Sequence, residues 1–257
     1  DAVDLFLQPI VVLPQRRPRY YEVLARLRDP SGIHLLPQDF LPYAERGGLM
    51  PKLDAAVVPR SLQLLRRLTT GERDIGLFVN LSAASLAEGA PFEELVDLLK
   101  RDAGLAGGLT LELSQATVDR MGPIELESLT VLSELGYRFS IDNIVDLNAP
   151  FRDLARHHGV RFVKVAAHRL LEPDAGAMRD IHIADFAPML ARFGIDLIVD
   201  RVESEAEVPD LLEFGVRYGQ GRLFGPPRPV RNEILARESQ PIPLRRDGRP
   251  PVAAGKN

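Results

Sequence analysis

Short β-rich runs alternate with longer stretches of helical period along most of this chain, and no other feature restricts its fold as much. Such alternation is the pattern of βαβ units feeding one parallel sheet. Eight runs qualify as strands, at residues 5–12, 20–27, 75–81, 109–113, 138–141, 161–165, 195–199 and 216–218. Between the later ones, segments such as 91–99 repeat apolar residues at helical spacing with Pro91 near the start, and Pro123 and Pro150 open the next two helical patterns. Only residues 13–19 join the first two strands, too few for a crossover helix, so that pair is expected to be antiparallel. A chain of 257 residues, 45% hydrophobic, can bury the core of one α/β barrel or of two small domains. The eight strand candidates are compatible with one α/β barrel over residues 1–235, atypical at its start because of that antiparallel pair. A mobile tail rich in Pro, Arg and Gly is expected at 236–257.

A net charge of −4 removes the broad attraction that coating DNA or RNA requires. The absence of Cys rules out disulfides, thiolate zinc sites and a Cys nucleophile. No apolar run approaches the roughly 18 residues of a membrane span, and the start is not a signal peptide. The expected compartment is the cytoplasm. Lacking an initiator Met and entering the apolar run Leu5-Phe6-Leu7 almost at once, the chain is expected to be excised from a longer protein. Any membrane attachment would then lie outside it.

Polar side chains stand where the strand candidates end. Asn80, Glu112, Asp142, Asp200 and Gln220 close or follow such runs, and Lys164 sits among Phe162, Val163 and Val165. In a barrel these positions converge on the C-terminal mouth. A polar residue at a strand end is often only a cap or turn former, but an ammonium among apolar neighbours needs an anionic partner. Glu22, Asn80, Glu112 and Asp142 make an oxygen-rich set suited to Mg²⁺, Mn²⁺ or Ca²⁺, and Lys164 and Arg26 suit an anionic phosphate. The five His show no metal spacing.

Read in order, Gln8-Pro9-Ile10-Val11, Glu22-Val23-Leu24-Ala25-Arg26, Phe40-Leu41-Pro42-Tyr43-Ala44-Glu45, Val79-Asn80-Leu81-Ser82, Leu111-Glu112-Leu113-Ser114 and Gln220-Gly221 resemble the EAL domain family over residues 4 to 230. That resemblance implies a TIM-like (β/α)8 barrel with an antiparallel first strand pair, which in active members hydrolyses cyclic di-GMP to linear pGpG with two metal ions. It assigns metal ligation to Glu22, Asn80, Glu112 and Asp142, and positioning of the attacking water to Lys164 and Gln220. Arg26 matches a phosphate contact, and Gln8, Leu24, Glu203 and Pro227 match positions around the guanines; Asp200 and Gly221 complete the ligand-binding set.

Departures from the family pattern gather on one side of the site. The family's Asp-Asp-Phe-Gly-Thr-Gly loop is here Asp142-Asn143-Ile144-Val145-Asp146-Leu147, without the second Asp or the glycines. Gln115 stands where a Glu anchors that loop, Ala166 where the Lys-Ile-Asp motif has its Asp, and Asp200 where the Glu-Gly-Val-Glu motif has its first Glu. The expectation is therefore a cyclic di-GMP receptor of the FimX or TipF kind, with a degenerate phosphodiesterase site, at most one Mg²⁺ or Mn²⁺ or none, and a protein partner in motility or surface structures such as flagella. Homodimerisation is left open. A weakly active phosphodiesterase and a nucleotide-independent scaffold are the alternatives.

Overall fold

The computed structural model describes residues 2–69, 75–171 and 183–230, so the tail expected at 236–257 lies outside the described residues. The strands are β1 (Val3–Val12), β2 (Arg17–Arg28), β3 (His34–Leu35), β4 (Gly76–Asn80), β5 (Leu109–Ser114), β6 (Arg138–Asp142), β7 (Val160–Ala166), β8 (Asp196–Asp200), β9 (Tyr218–Gln220) and β10 (Arg228–Pro229). The helices are α1 (Pro37–Arg46), α2 (Met50–Thr69), α3 (Ala90–Arg101), α4 (Gln115–Val118), α5 (Pro123–Glu134), α6 (Phe151–His158), α7 (Ala167–Leu171), α8 (Ile183–Arg192) and α9 (Val208–Glu213).

Strand order β1-β9-β8-β7-β6-β5-β4-β2, closed by a β1–β2 pairing, makes a barrel of eight strands, with the two-residue β3 and β10 added at its margin. Strand β1 is antiparallel to both of its barrel neighbours, and every other barrel pairing is parallel. The expected fold and antiparallel first pair are thus present. Proline sets several helix starts as expected: Pro91 lies in the first turn of α3, Pro123 begins α5 and Pro150 caps α6. The last strand starts later than residue 216, because Val216 N donates to Leu211 O at the end of α9 and Arg217 O accepts from Leu13 N. Residues 216–217 finish a helix end before joining the ladder, which moves Gln220 inside β9.

The apolar residues form two bodies. One lies between the strands and the surrounding helices, with Val57, Leu62 and Leu65 of α2 and Leu99 of α3 packed with strand residues such as Leu77, Leu111 and Val163. The other is a plug of Ile10, Phe78, Phe162, Ile198 and Tyr218 with Tyr20 and Val12 against it. Its rings meet edge to face, Phe78 with Phe162 at 4.9 Å and Tyr20 with each of them at 5.3 and 5.4 Å. Side chains two apart on a strand share a face, so the residues that follow the plug define the next tier. From Tyr20, Phe78, Thr110, Ser140, Phe162, Ile198 and Tyr218, a step of two towards the C-terminus gives Glu22, Asn80, Glu112, Asp142, Lys164, Asp200 and Gln220. On the reversed β1 the step runs the other way, from Ile10 to Gln8. A floor that is apolar except at Thr110 and Ser140 therefore carries a polar tier with one member from each barrel strand.

Candidate functional site at the barrel mouth

Lys164 is the centre of the polar tier and is 1% exposed. Its Nζ donates to Glu112 Oε1 at 2.8 Å and Glu22 Oε2 at 3.0 Å, and lies 5.5 Å from the centre of the Phe78 ring. Burial works against the ammonium, but Glu112, Glu22 and Asp142 outweigh it and raise the Lys164 pKa. Glu22 also accepts from Gln220 Nε2 at 2.6 Å and Asn80 Nδ2 at 3.2 Å. Gln220 Nε2 reaches Gln8 Oε1 at 3.3 Å, and Gln8 Nε2 donates to Gly225 O at 3.3 Å.

The two carboxylates beside Lys164 differ. Burial pushes Glu22 upward, yet Lys164, Gln220 and Asn80 hold it below the usual range. Glu112 is pushed up to about 8 by burial, with Glu22 and Asp142 adding repulsion that Lys164 only partly offsets. Its Oε2 is buried with no hydrogen-bond partner among the described residues, as is Gln220 Oε1. Three carboxylates, one of them Glu112 with its orphaned oxygen, and the Asn80 amide oxygen fit one hard cation by donor chemistry. In the present arrangement, however, the described residues hold no open cluster of three acidic or His side chains. Lys164 fills the middle.

The outer half of the mouth is built differently. Asn143 has a left-handed backbone, φ 53°, and its Nδ2 donates to Asp142 Oδ2 at 3.1 Å. Its Oδ1 accepts from Arg201 Nη2 at 3.1 Å, while Arg201 Nε lies 3.5 Å from Asp200 Oδ2. Ala166 pairs in register with Asp200 and offers only a methyl group. Burial raises the pKa of Asp142, and burial together with the Asp142 charge pushes Asp200 up to about 6. An amide, a methyl and a guanidinium do not fit a second metal ion.

The loop after β6 corrects one sequence reading. Gln115, in the place of the family's Glu, still anchors the loop: its Oε1 accepts from Val145 N at 2.7 Å and Asp146 N at 3.0 Å, and its Nε2 donates to Asp146 O at 2.9 Å. Nor does the loop need its glycines, since Ile144 and Leu147 are buried in the main core and Asn143 alone takes a positive φ there.

The remaining assigned residues lie around the tier. Leu24 lines a mouth cavity of about 600 Å³ together with Phe40, Leu41, Glu45 and Asn143. Arg26, two further along β2, donates to Ala25 O at 2.9 Å and lies over the Phe6 ring at 5.5 Å. Gly221 has φ 155°, and a Cβ there would meet Val202 O at 2.0 Å, so only glycine lets these two loops cross. Glu203 is exposed and Pro227 half-buried, on the loops after β8 and β9 and outside the central network. Sequence reasoning missed Arg201 and Asp54. The latter is a buried acid of α2 whose Oδ2 accepts from Ser82 N, Ser82 Oγ and Ser85 Oγ at 2.9, 2.6 and 2.7 Å. An acid between Leu53 and Ala55-Ala56-Val57 was the available signal.

The model of the EAL domain matches residues 1–227. The chain belongs to the EAL domain family. This EAL domain is 27% identical over 233 residues to the cyclic di-GMP phosphodiesterase PdeB of Shewanella oneidensis, covering 88% of the chain and 26% of that protein. It is 29% identical over 239 residues to the cyclic di-GMP phosphodiesterase NbdA of Pseudomonas aeruginosa, covering 90% of the chain and 29% of that protein. It thus spans under a third of the length of these two relatives. Among solved structures, the MucR phosphodiesterase complex with c-di-GMP superposes with a TM-score of 0.77 at 25% identity, covering 90% of this chain and 94% of that one. The FimX EAL domain from Pseudomonas aeruginosa bound to c-di-GMP superposes with a TM-score of 0.72 at 27% identity, covering 88% and 91%.

Proposed function

We propose that this EAL domain is a cyclic di-GMP receptor that turns its ligand over little or not at all and passes the bound state to a protein partner. The observation that carries this reading is the contrast between the two halves of one mouth. The inner half keeps Gln8, Glu22, Asn80, Glu112, Lys164 and Gln220 in one hydrogen-bonded network, with Leu24 and Arg26 above it. The outer half has Asn143, Ala166 and the short Asp200 where the family pattern has three longer or charged groups. Glu22, Asn80, Glu112 and Asp142 would hold a single Mg²⁺ or Mn²⁺, which would supply positive charge beside a phosphate. Two-ion hydrolysis clamps the attacking and leaving oxygens together, and removing one such electrostatic element costs about 10²–10³ in rate.

A slow phosphodiesterase is the second reading. It is favoured by the intact inner half and by relatives that are named phosphodiesterases. Calorimetric titration with cyclic di-GMP tests the receptor reading. The parent is expected to bind, and Arg26→Ala and Glu22→Ala to bind about tenfold or more weakly through lost charge-assisted contacts. Equal affinity in parent and both variants would remove the site assignment, and no binding by the parent would favour a nucleotide-independent scaffold.

A further inference from the structure

Two of the three non-glycine residues with positive φ among the described residues, Asn143 at 53° and Arg201 at 56°, are hydrogen-bonded to each other at the barrel mouth. A left-handed backbone is unfavourable for an ordinary side chain, and Asn tolerates it better than Arg. Backbone outliers of this kind persist where the surroundings over-determine them, often at functional positions. The Arg201 side chain stays largely exposed, but its guanidinium reaches back to the outer carboxylate Asp200 and to the Asn143 amide.

Charge accounting points the same way. The polar tier holds four carboxylates, Glu22, Glu112, Asp142 and Asp200. Lys164 bonds directly to Glu22 and Glu112. Arg201 serves the other two, lying 3.5 Å from Asp200 directly and reaching Asp142 through the Asn143 amide. Lys164 acts on the outer pair by its charge alone, so Arg201 is the second cation there and the one adjacent to Asp200. A divalent ion brought to the outer pair would face a guanidinium, an amide nitrogen and the Ala166 methyl.

We infer that Arg201 is a built-in cation at the outer half of the mouth, balancing Asp142 and Asp200 and presenting its remaining N–H groups to a phosphate of the bound nucleotide, so that binding needs no metal ion there. The five donors of a guanidinium exceed those that Asp200 and Asn143 engage. This rests on the receptor reading above.

The test is titration of the parent, Arg201→Gly and Arg201→Lys with cyclic di-GMP, each in excess chelator and in Mg²⁺. Glycine accepts the positive φ without strain, so a thermal midpoint at or above the parent's shows that Arg201→Gly is folded. The parent is expected to change affinity by less than about threefold between the two buffers. In chelator, Arg201→Gly is expected to bind about tenfold or more weakly and Arg201→Lys to fall between, keeping the charge but losing the fork. Parent binding that appears only with Mg²⁺, or Arg201→Gly binding as tightly as the parent in chelator, overturns the inference and leaves the receptor reading standing. A parent that binds in neither buffer overturns both.

Discussion

Glu22 and Glu112 share the Lys164 ammonium on unequal terms. Glu22 also takes Gln220 and Asn80 as donors, whereas one oxygen of Glu112 has none among the described residues. Charge therefore rests on Glu22, and Glu112 is the partner that is easily protonated. Away from this pair, single side chains fix the loops that frame the mouth. Gln115 satisfies the Val145 and Asp146 amides, and Gln115→Ala is expected to cost about 1–3 kcal/mol for the unpaired groups it leaves. Chemical unfolding measures that cost, and a change below about 0.5 kcal/mol would show that the loop has another anchor. Asp54 has a comparable role beneath Ser82 and lines both the mouth cavity and an outer groove between α2 and α3. Burial raises its pKa against the pull of Ser82 and Ser85. A raised carboxyl pKa means the folded state binds the proton more tightly, so stability falls as pH rises from the unfolded value towards the folded one. Relative to Asp54→Asn, which does not titrate, the parent is expected to lose stability on going upward from about pH 4. A stability difference that does not change with pH would contradict the buried-acid account.

At the scale of elements, the site was legible because the strands write it at a period of two. An apolar floor residue followed two positions later by a polar one recurs on β2, β4, β7, β8 and β9, and this places Glu22, Asn80, Lys164, Asp200 and Gln220 on one tier. What stayed hidden depends on contacts between elements distant in sequence. The Gln115 amide finds its partners 30 and 31 residues away, and Arg201 meets Asn143 across 58 residues, neither of which any local pattern encodes. The start of the last strand was misplaced for a similar reason, since Val216 is taken by the end of α9. Gly221 marks where two such loops cross. Gly221→Ala is expected to lower stability by at least about 3 kcal/mol or to abolish soluble expression, because the added carbon meets the Val202 backbone instead of a side chain that can move. A thermal midpoint within a degree or two of the parent's would contradict the crossing described.

At the scale of the whole molecule, the barrel separates packing from chemistry along its own axis. The aromatic plug closes the N-terminal half, so the polar tier opens only at the C-terminal mouth, where the loops after β2, β4, β5, β6, β8 and β9 can vary without disturbing the core. This arrangement lets a member of the family change its outer half while keeping the inner network. Catalytic groups that act as a unit are strongly non-additive, so restoring one of them, as in Asn143→Asp, is expected to return little turnover. Chromatography of the nucleotide retained by the protein, and of the nucleotide passing the filter, after overnight incubation with cyclic di-GMP and Mg²⁺ reads binding and hydrolysis together. The account predicts intact cyclic di-GMP retained with the protein and at most a trace of pGpG; abundant pGpG in the filtrate, or no nucleotide retained, would contradict it.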